Sequence, residues 1–251
     1  MQQRFSRTEL LLGGDALEAL ARAHVAVFGL GGVGGYAAEA LARSGIGALT
    51  LVDHDQVSPT NVNRQIAALE STIGKGKADV MAARVRDINP QCKVTPLRCF
   101  FLPDTANEID LAQFDYVVDA VDTVTAKLLL AERAQAAGTP IISSMGTANK
   151  TDPTALAVGD ISETSICPLA KIIRKECRKR GIARLKTVYS TEPAQQPTAE
   201  AQQAYKESME GSGSGDVDKF GRAGIPGSTA FVPPAAGIIL AREVVFDLIG
   251  A

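Results

Sequence analysis

A glycine-rich loop near the start of the chain has the composition of a nucleotide site. It follows a short β-branched run, opens a predicted helix, and contains Gly29, Gly31, Gly32 and Gly34. Glycines let the backbone approach a phosphate, and a helix N-terminus favours negative charge. Asp53 follows the next predicted strand, where a carboxylate can accept hydrogen bonds from ribose hydroxyls. The loop and the acid predict a nucleotide site, although the loop alone could serve only helix–sheet packing.

Cations and further carboxylates follow in an order that suits a triphosphate. Asn61, Asn63 and Arg64 lie close together after Asp53, and Lys77 begins a predicted helix. The segment 119–122 closes the fourth predicted strand with two aspartates. Attack on a triphosphate needs cations near its bridging oxygens and a carboxylate for magnesium, whereas hydride transfer needs neither. The set therefore favours ATP over a nicotinamide cofactor, although each cation alone would more often be a solvated surface charge.

In this order, the residues resemble the ThiF/MoeB-like superfamily of ubiquitin-activating-type adenylating enzymes. The resemblance implies that the loop glycines, Asn61 and Asn63 belong to the ATP site and that Asp53 binds ribose. It implies that Arg64 and Lys77 contact the phosphates and that Asp122 holds Mg²⁺. Thr123 stands where many members have asparagine, so only Asp122 is carried over from that motif.

The N-terminal Arg4-Phe-Ser-Arg7 segment matches an R-x-x-R segment of the same superfamily. There the second arginine, here Arg7, reaches ATP bound to the other protomer. The resemblance therefore implies a homodimer with Arg7 among the catalytic residues.

Within the superfamily, nearly the whole chain is similar to the tRNA threonylcarbamoyladenosine dehydratase branch, also called the TcdA or CsdL group. The segments that carry this likeness include 41–47, 168–171, 189–193 and 227–234. The branch implies adenylation of the threonyl carboxylate, after which loss of AMP closes the ring with net dehydration. Two alternatives stay open: adenylation of the C-terminal glycine of a ubiquitin-like sulfur-carrier protein, and a nicotinamide dehydrogenase or non-catalytic dinucleotide sensor.

A basic stretch gives independent support for a tRNA substrate. Between positions 171 and 186 the chain carries eight basic residues against one acid, Glu176. A basic helix face on a mildly acidic protein is typical of phosphate-backbone contacts, although it could also be a solvated surface. The predicted tRNA contacts are Lys171, Arg174, Lys175, Arg178, Lys179 and Arg180.

The four cysteines show no CxxC pairing, and the chain has only two histidines, so a structural zinc site is not expected. Each cysteine is predicted to be a small buried hydrophobe. Cys167 is the one loop-like candidate for a nucleophile, as a minority alternative, and a sulfur-transfer partner is left unproven. Few cysteines and the lack of an apolar signal segment predict a reducing cytoplasm.

Strand-like and helical segments alternate from His24 to Ser144, which predicts a Rossmann-like, doubly wound parallel sheet. The strands are expected at 24–28, 48–52, 92–97, 116–118 and 141–144, with helices at 34–44, 77–89 and 123–137. Later segments at 154–158 and 185–189 read as strands of an antiparallel extension, 168–180 as a helix on the stripe Leu169, Ile172, Ile173 and Cys177, and 234–249 as a closing helix. We expect a single adenylating domain over 1–251, with an ATP-binding half (1–150) and a tRNA-binding half (151–251).

Residues 193–228 collect Pro, Gln, Gly and Ser and predict a mobile segment over the substrate. The net charge of −2 means that nucleic-acid binding must come from a local patch. The longest late apolar run, 230–241, contains two prolines and is too short to span a bilayer, so no membrane association is expected.

Overall fold

A computed structural model describes residues 3–209 and 226–251, and within them the chain is built around a seven-stranded sheet of order β3-β2-β1-β4-β5-β7-β6. All neighbouring strands pair in parallel except β6, which is antiparallel to β7. The strands are β1 (His24–Phe28), β2 (Ala48–Val52), β3 (Lys93–Leu97), β4 (Tyr116–Asp119), β5 (Ile141–Ser144), β6 (Leu156–Asp160) and β7 (Lys186–Ser190). The predicted Rossmann-like sheet is confirmed, and strands from both halves of the chain share it.

Helices cover both faces of the sheet. The helices of the described residues are α1 (Ser6–Leu12), α2 (Gly14–Arg22), α3 (Gly34–Arg43), α4 (Lys77–Ile88), α5 (Val124–Ala137), α6 (Pro168–Arg180), α7 (Ala199–Met209) and α8 (Val232–Ile249). The core on one face is built from α3, α4 and α8, and the core on the other face from α5 and α6. Helix α8 lies so close to α3 that a Cβ at Gly237 would stand 2.2 Å from the carbonyl oxygen of Val33. Only glycine allows that approach.

The N-terminal segment is fixed at the edge where strands begin. The Phe5 ring lies 3.6 Å from the position of a Cβ on Gly45, just before β2. Arg4 donates a hydrogen bond of 2.6 Å to the carbonyl of Ile88, before β3. This is the amino edge of the sheet, opposite the edge at which parallel sheets bind ligands.

The second half departs from the sequence prediction at strand β6 and on the buried face of α6. The strand expected at 154–158 begins only at Leu156, because Asp152 accepts a hydrogen bond from the Thr154 amide and holds Pro153–Ala155 as a 3-10 turn. In α6 the buried stripe is formed by Ala170, Ile173 and Cys177, whereas Ile172 is 49% exposed.

The expected mobile segment 193–228 contains helix α7, whose sequence AEAQQAYKESM is rich in helix-forming residues. Thr198 caps this helix by accepting a hydrogen bond from the amide of Ala201. The rest of that prediction, over 210–225, lies outside the described residues. Among the helices that the structure describes, none is long and apolar enough to cross a membrane.

Candidate active site

The glycine loop turns at the carboxyl ends of β1 and β4. Gly29 has φ +82°, and a Cβ on it would lie 2.6 Å from the carbonyl oxygen of Ala120. A Cβ on Gly34 would lie 1.8 Å from the carbonyl oxygen of Gly29. The packing of the fold therefore requires these two glycines, and it sets the segment that leads to Asp122 directly beside the loop. Gly31 is different, because in the part of the chain that the structure describes, leaving out its two chain neighbours, a Cβ there would meet only Gln65, at 3.8 Å.

Asp53 is buried at the end of β2 and is oriented by two backbone amides. Its Oδ2 accepts a hydrogen bond of 2.6 Å from the amide of Leu30, within the glycine loop, and its Oδ1 accepts one of 2.8 Å from the amide of Asp55. These bonds hold a carboxylate at the loop with lone pairs left for further donors.

Lys77 begins α4 and is only 5% exposed. Its Nζ lies 2.9 Å from Oδ2 of Asp55, whose other oxygen lies 2.8 Å from Nε2 of His54. Asp55 was not predicted from the sequence, although it lies two residues after Asp53. Asp55 therefore compensates the charge of Lys77 close to Asp53.

Arg64 is half-buried against the glycine loop, with its Cγ 3.4 Å from the position of a Cβ on Gly32. Its guanidinium donates to the carbonyl of Thr60 and to the side chain of Asn63, at 2.9 and 3.0 Å. Asn63 in turn donates to the carbonyl of Ser228. Asn61 is buried and accepts a hydrogen bond from the amide of Ser58. Both asparagines thus shape the turn that presents Arg64.

The two aspartates that follow β4 have different surroundings. Asp119 and Lys127 each have 1% exposed side chains, and their charged groups lie 3.1 Å apart. Ser143 donates a hydrogen bond of 2.5 Å to the same carboxylate. Asp122 is exposed at the carboxyl edge. Asp119 is therefore part of a buried ion pair that the sequence did not reveal, and Asp122 is the one of the two that faces solvent.

Asp53, His54 and Asp55 form a group whose ligand atoms lie within 4.8 Å of one another. The His54 ring stacks on Phe100. The ammonium of Lys77 already neutralises part of the charge on Asp55. Oxygen ligands for a hard cation thus occur both here and at Asp122.

Arg7 lies away from the residues described so far. It is exposed in the first turn of α1, two residues after Phe5, and therefore at the amino edge of the sheet. A strand of five residues spans about 16 Å, which exceeds the reach of an arginine side chain. The structure does not bring Arg7 to the glycine loop, Arg64 or Lys77 of its own chain.

Three loops meet at the carboxyl edge around Asn149, which has a left-handed φ of 59°. Its amide donates to the carbonyl of Gly227, its side-chain oxygen accepts from the Gly227 amide, and its carbonyl accepts from the Gln195 amide. Both ends of the chain between 195 and 227 are thus anchored at one residue. Ser228 connects this point to Asn63 and so to the turn that carries Arg64.

All four cysteines are free. Burial raises the pKa of Cys92 and of Cys177 to about 11, which makes both thiols inert at neutral pH. Cys167 is buried before α6, with its Sγ 3.8 Å from the position of a Cβ on Gly146. Burial lowers the pKa of Lys150, and the negative charge of Glu192 opposes that effect.

The six basic residues predicted on α6 fall into two groups. Arg174 donates to the carbonyl and hydroxyl of Thr164, Lys179 pairs with Glu176, and Arg180 pairs with Glu132. Lys171, Lys175 and Arg178 are exposed at i, i+4 and i+7 and therefore share one helix face.

A cavity of about 700 Å³ lies outside this set of residues. It is lined by the turn 66–76 and by α4, including Ile66, Leu69 and Val80. It includes none of the glycines, aspartates or cations predicted to bind ATP.

The chain is similar to known proteins both in sequence and in structure. The ThiF family matches residues 5–249. The chain is 45% identical to a tRNA threonylcarbamoyladenosine dehydratase of Bacillus subtilis (strain 168), over 99% of this chain and 96% of that one. A crystal structure of the tRNA N6-threonylcarbamoyladenosine dehydratase of E. coli in complex with ATP is similar with a TM-score of 0.82 and 34% identity, over 99% and 95% of the two chains. A molybdopterin-synthase adenylyltransferase of E. coli is 35% identical over only 56% of this chain and 57% of its own.

Proposed function

The chain belongs to the ThiF family, and from that premise we propose that it is an ATP-dependent tRNA threonylcarbamoyladenosine dehydratase. The observation that carries this assignment is the similarity to such dehydratases over nearly the full length of both chains. The substrate carboxylate attacks the α-phosphorus of ATP, and pyrophosphate leaves. An atom of the same substrate then attacks the acyl-adenylate, so that AMP leaves and the ring closes with net loss of water. Because both reacting groups belong to one substrate molecule, their proximity makes the ring closure fast, and the closure requires no enzyme nucleophile.

We assign the charge stabilisation in the first step to Arg64 and Lys77. Negative charge spreads over the bridging oxygens as pyrophosphate leaves, and preorganised cations stabilise it. Lys77 is suited to this because its ammonium is buried and fixed by Asp55. Asp53, already oriented by two amides, accepts from the ribose, and the loop glycines let the backbone approach the phosphates.

Asp122 is our proposed magnesium ligand. It is an exposed carboxylate next to the segment that touches Gly29 and Gly34, and hard oxygen donors suit Mg²⁺. The ion supplies charge neutralisation on the phosphate oxygens when bound.

We further propose a homodimer in which Arg7 completes the site of the partner. Two observations support it: Arg7 is too far from its own site, and Leu10 and Leu11 on the same helix are 89% and 84% exposed. Exposed apolar side chains of that size are expected to be covered by another protein surface.

The tRNA is assigned to the second half of the chain, through Lys171, Lys175 and Arg178 on α6. Arg174, Lys179 and Arg180 contribute by holding that helix in place and by their net charge. A reaction on tRNA, together with four free cysteines, favours the cytoplasm.

The test is release of AMP and pyrophosphate from ATP by the purified protein. Release is expected with tRNA that carries threonylcarbamoyladenosine, and the nucleoside is expected to lose the mass of one water. The same tRNA without the modification serves as the control. Release only with a ubiquitin-like carrier protein would assign the runner-up activity, and stabilisation by NAD but not by Mg-ATP would contradict both.

A further inference from the structure

The side-chain oxygen of Gln65, next to the proposed nucleotide site, has no hydrogen-bond partner among the described residues. Gln65 follows Arg64 and is 8% exposed. Among the residues that the structure describes, its Oε1 is buried and accepts no hydrogen bond. Burying a polar atom without a partner costs about 1–3 kcal/mol. A side chain that served only to support the turn would be expected to bond within it.

The other end of the same amide lies against the glycine loop. Apart from the chain neighbours of Gly31, Nε2 of Gln65 is the one atom of residues 3–209 and 226–251 within 4 Å of the position that a Cβ on Gly31 would occupy, at 3.8 Å. Gly31 has no left-handed φ, and the protein around it leaves room for a Cβ. The glycine and the amide therefore border one space that the described residues leave open. An oxygen atom of a reactant in that space would be within hydrogen-bonding distance of Nε2.

We propose that Gln65 is a catalytic residue whose Nε2 donates a hydrogen bond to the carboxylate that attacks ATP, an inference that rests on the proposed function. The phosphates already have Arg64 and Lys77. A carboxylate that must act as a nucleophile is better oriented by a neutral donor, because a full positive charge would lower its nucleophilicity. The amide donates without transferring a proton, so it positions the carboxylate for attack on the α-phosphorus.

The test compares Gln65→Met, which keeps the size of the side chain and removes its donor, with Gln56→Met on the exposed Gln56 as the matched control. The Gln65→Met variant is expected to lose about 10- to 100-fold in kcat/KM for the acyl substrate while its affinity for Mg-ATP stays within about twofold of the parent. Parent-like kcat/KM, or a loss confined to ATP affinity, would overturn the inference. ATP affinity also shows that the variant is folded.

A second variant, Gln65→Glu, keeps the shape of the amide and gives a readout that a structural role would not move. Its carboxylate repels that of the substrate, so its loss at pH 8 is expected to exceed that of Gln65→Met. Protonation restores a donor, and activity relative to the parent is therefore expected to rise as the pH falls from about 8 to about 6, since burial raises the pKa of the new acid. A ratio that does not change with pH contradicts the proposed hydrogen bond.

The proposed function is tested separately by the parent enzyme. If the parent adenylates a carrier protein instead of tRNA, the same variants are measured with that carboxylate, and the same losses are expected. A parent that acts on tRNA while Gln65→Met matches it overturns only the role of Gln65.

Discussion

Lys77 is buried and Asp122 is exposed. Lys77 is assigned to the phosphates and Asp122 to the magnesium ion that neutralises them, so neither role involves tRNA. Lys77→Ala and Asp122→Ala are each expected to lower AMP release by about 10²- to 10³-fold, as for other preorganised electrostatic contacts. Their affinity for modified tRNA is expected to stay at the parent level, because neither residue lies on α6. Lys75→Ala removes an exposed lysine two residues away and is the matched control. Near-normal AMP release by either variant would be incompatible with these roles.

The Asp119–Lys127 pair gives a stability prediction at the same edge. Lys127→Met leaves a carboxylate buried without its cation and is expected to lower the free energy of unfolding by about 3–5 kcal/mol. Adding Asp119→Asn removes the uncompensated charge and is expected to recover most of that loss. Denaturant unfolding of the single and double variants measures both effects. A double variant no more stable than the single one would show that the charge is not the cause.

The sequence predicted that candidate functional residues would meet at the carboxyl edge of the sheet, but not the contacts among them. Asp53 and the loop glycines follow strands and Lys77 begins a helix, so their meeting at one edge was predictable from the alternation of elements. Arg64 lies in a turn between elements, so its position beside Gly32 was not predictable in that way. The partners of Lys127 and Asn63 were not, because Ser143 and Ser228 reach them only through the fold. Local periodicity carries no signal for such distant pairs.

At the scale of one element, α6 allows the tRNA proposal to be tested by charge. Replacing Lys171, Lys175 and Arg178 by Gln is expected to weaken tRNA binding and to reduce the slope of log affinity against log salt by roughly one unit per lost phosphate contact. AMP release at saturating tRNA should change little, since the nucleotide residues lie elsewhere.

Lys179→Gln is a control on the same helix, because that lysine already pairs with Glu176. It is expected to alter the salt slope less than any single change on the exposed face. Equal effects from all positions would indicate general charge rather than a defined contact surface.

The bounds of the helices and strands show where sequence patterns predict the structure and where they do not. The strands β1, β2 and β5 have the bounds that were predicted, because their apolar runs are buried. Helix α6 also has its predicted bounds, because Pro168 begins it and Gly181, with a left-handed φ of 68°, ends it. Strand β6 starts later than expected because a side-chain cap competes with the strand. Helix α7 was missed because its polar sequence lies within a Pro- and Gly-rich stretch, where composition predicted a loop.

At the scale of the whole molecule, the two edges of the sheet pose a geometric problem. The proposed ATP residues gather at the carboxyl edge, whereas Phe5 and Arg4 fix the N-terminal segment at the amino edge. Arg7 can serve a site only if a second chain brings it there. Under the role proposed for Arg7, the homodimer therefore completes each site and is not only an association of two complete enzymes.

Complementation tests this arrangement directly. Arg7→Ala and Lys77→Ala are each expected to be nearly inactive, since an arginine supplied in trans can contribute about 10³- to 10⁵-fold. In a mixed dimer of the two variants, one site has both defects and the other has neither. Co-expression with random pairing is therefore expected to restore about one quarter of the parent activity per chain, because half of the dimers are mixed and each has one intact site.

Co-expression of Asp122→Ala with Lys77→Ala is the control and should restore nothing, because each site then lacks a residue supplied by its own chain. Mixtures of Arg7→Ala and Lys77→Ala that never exceed the sum of the separate activities would contradict a role for Arg7 across the dimer.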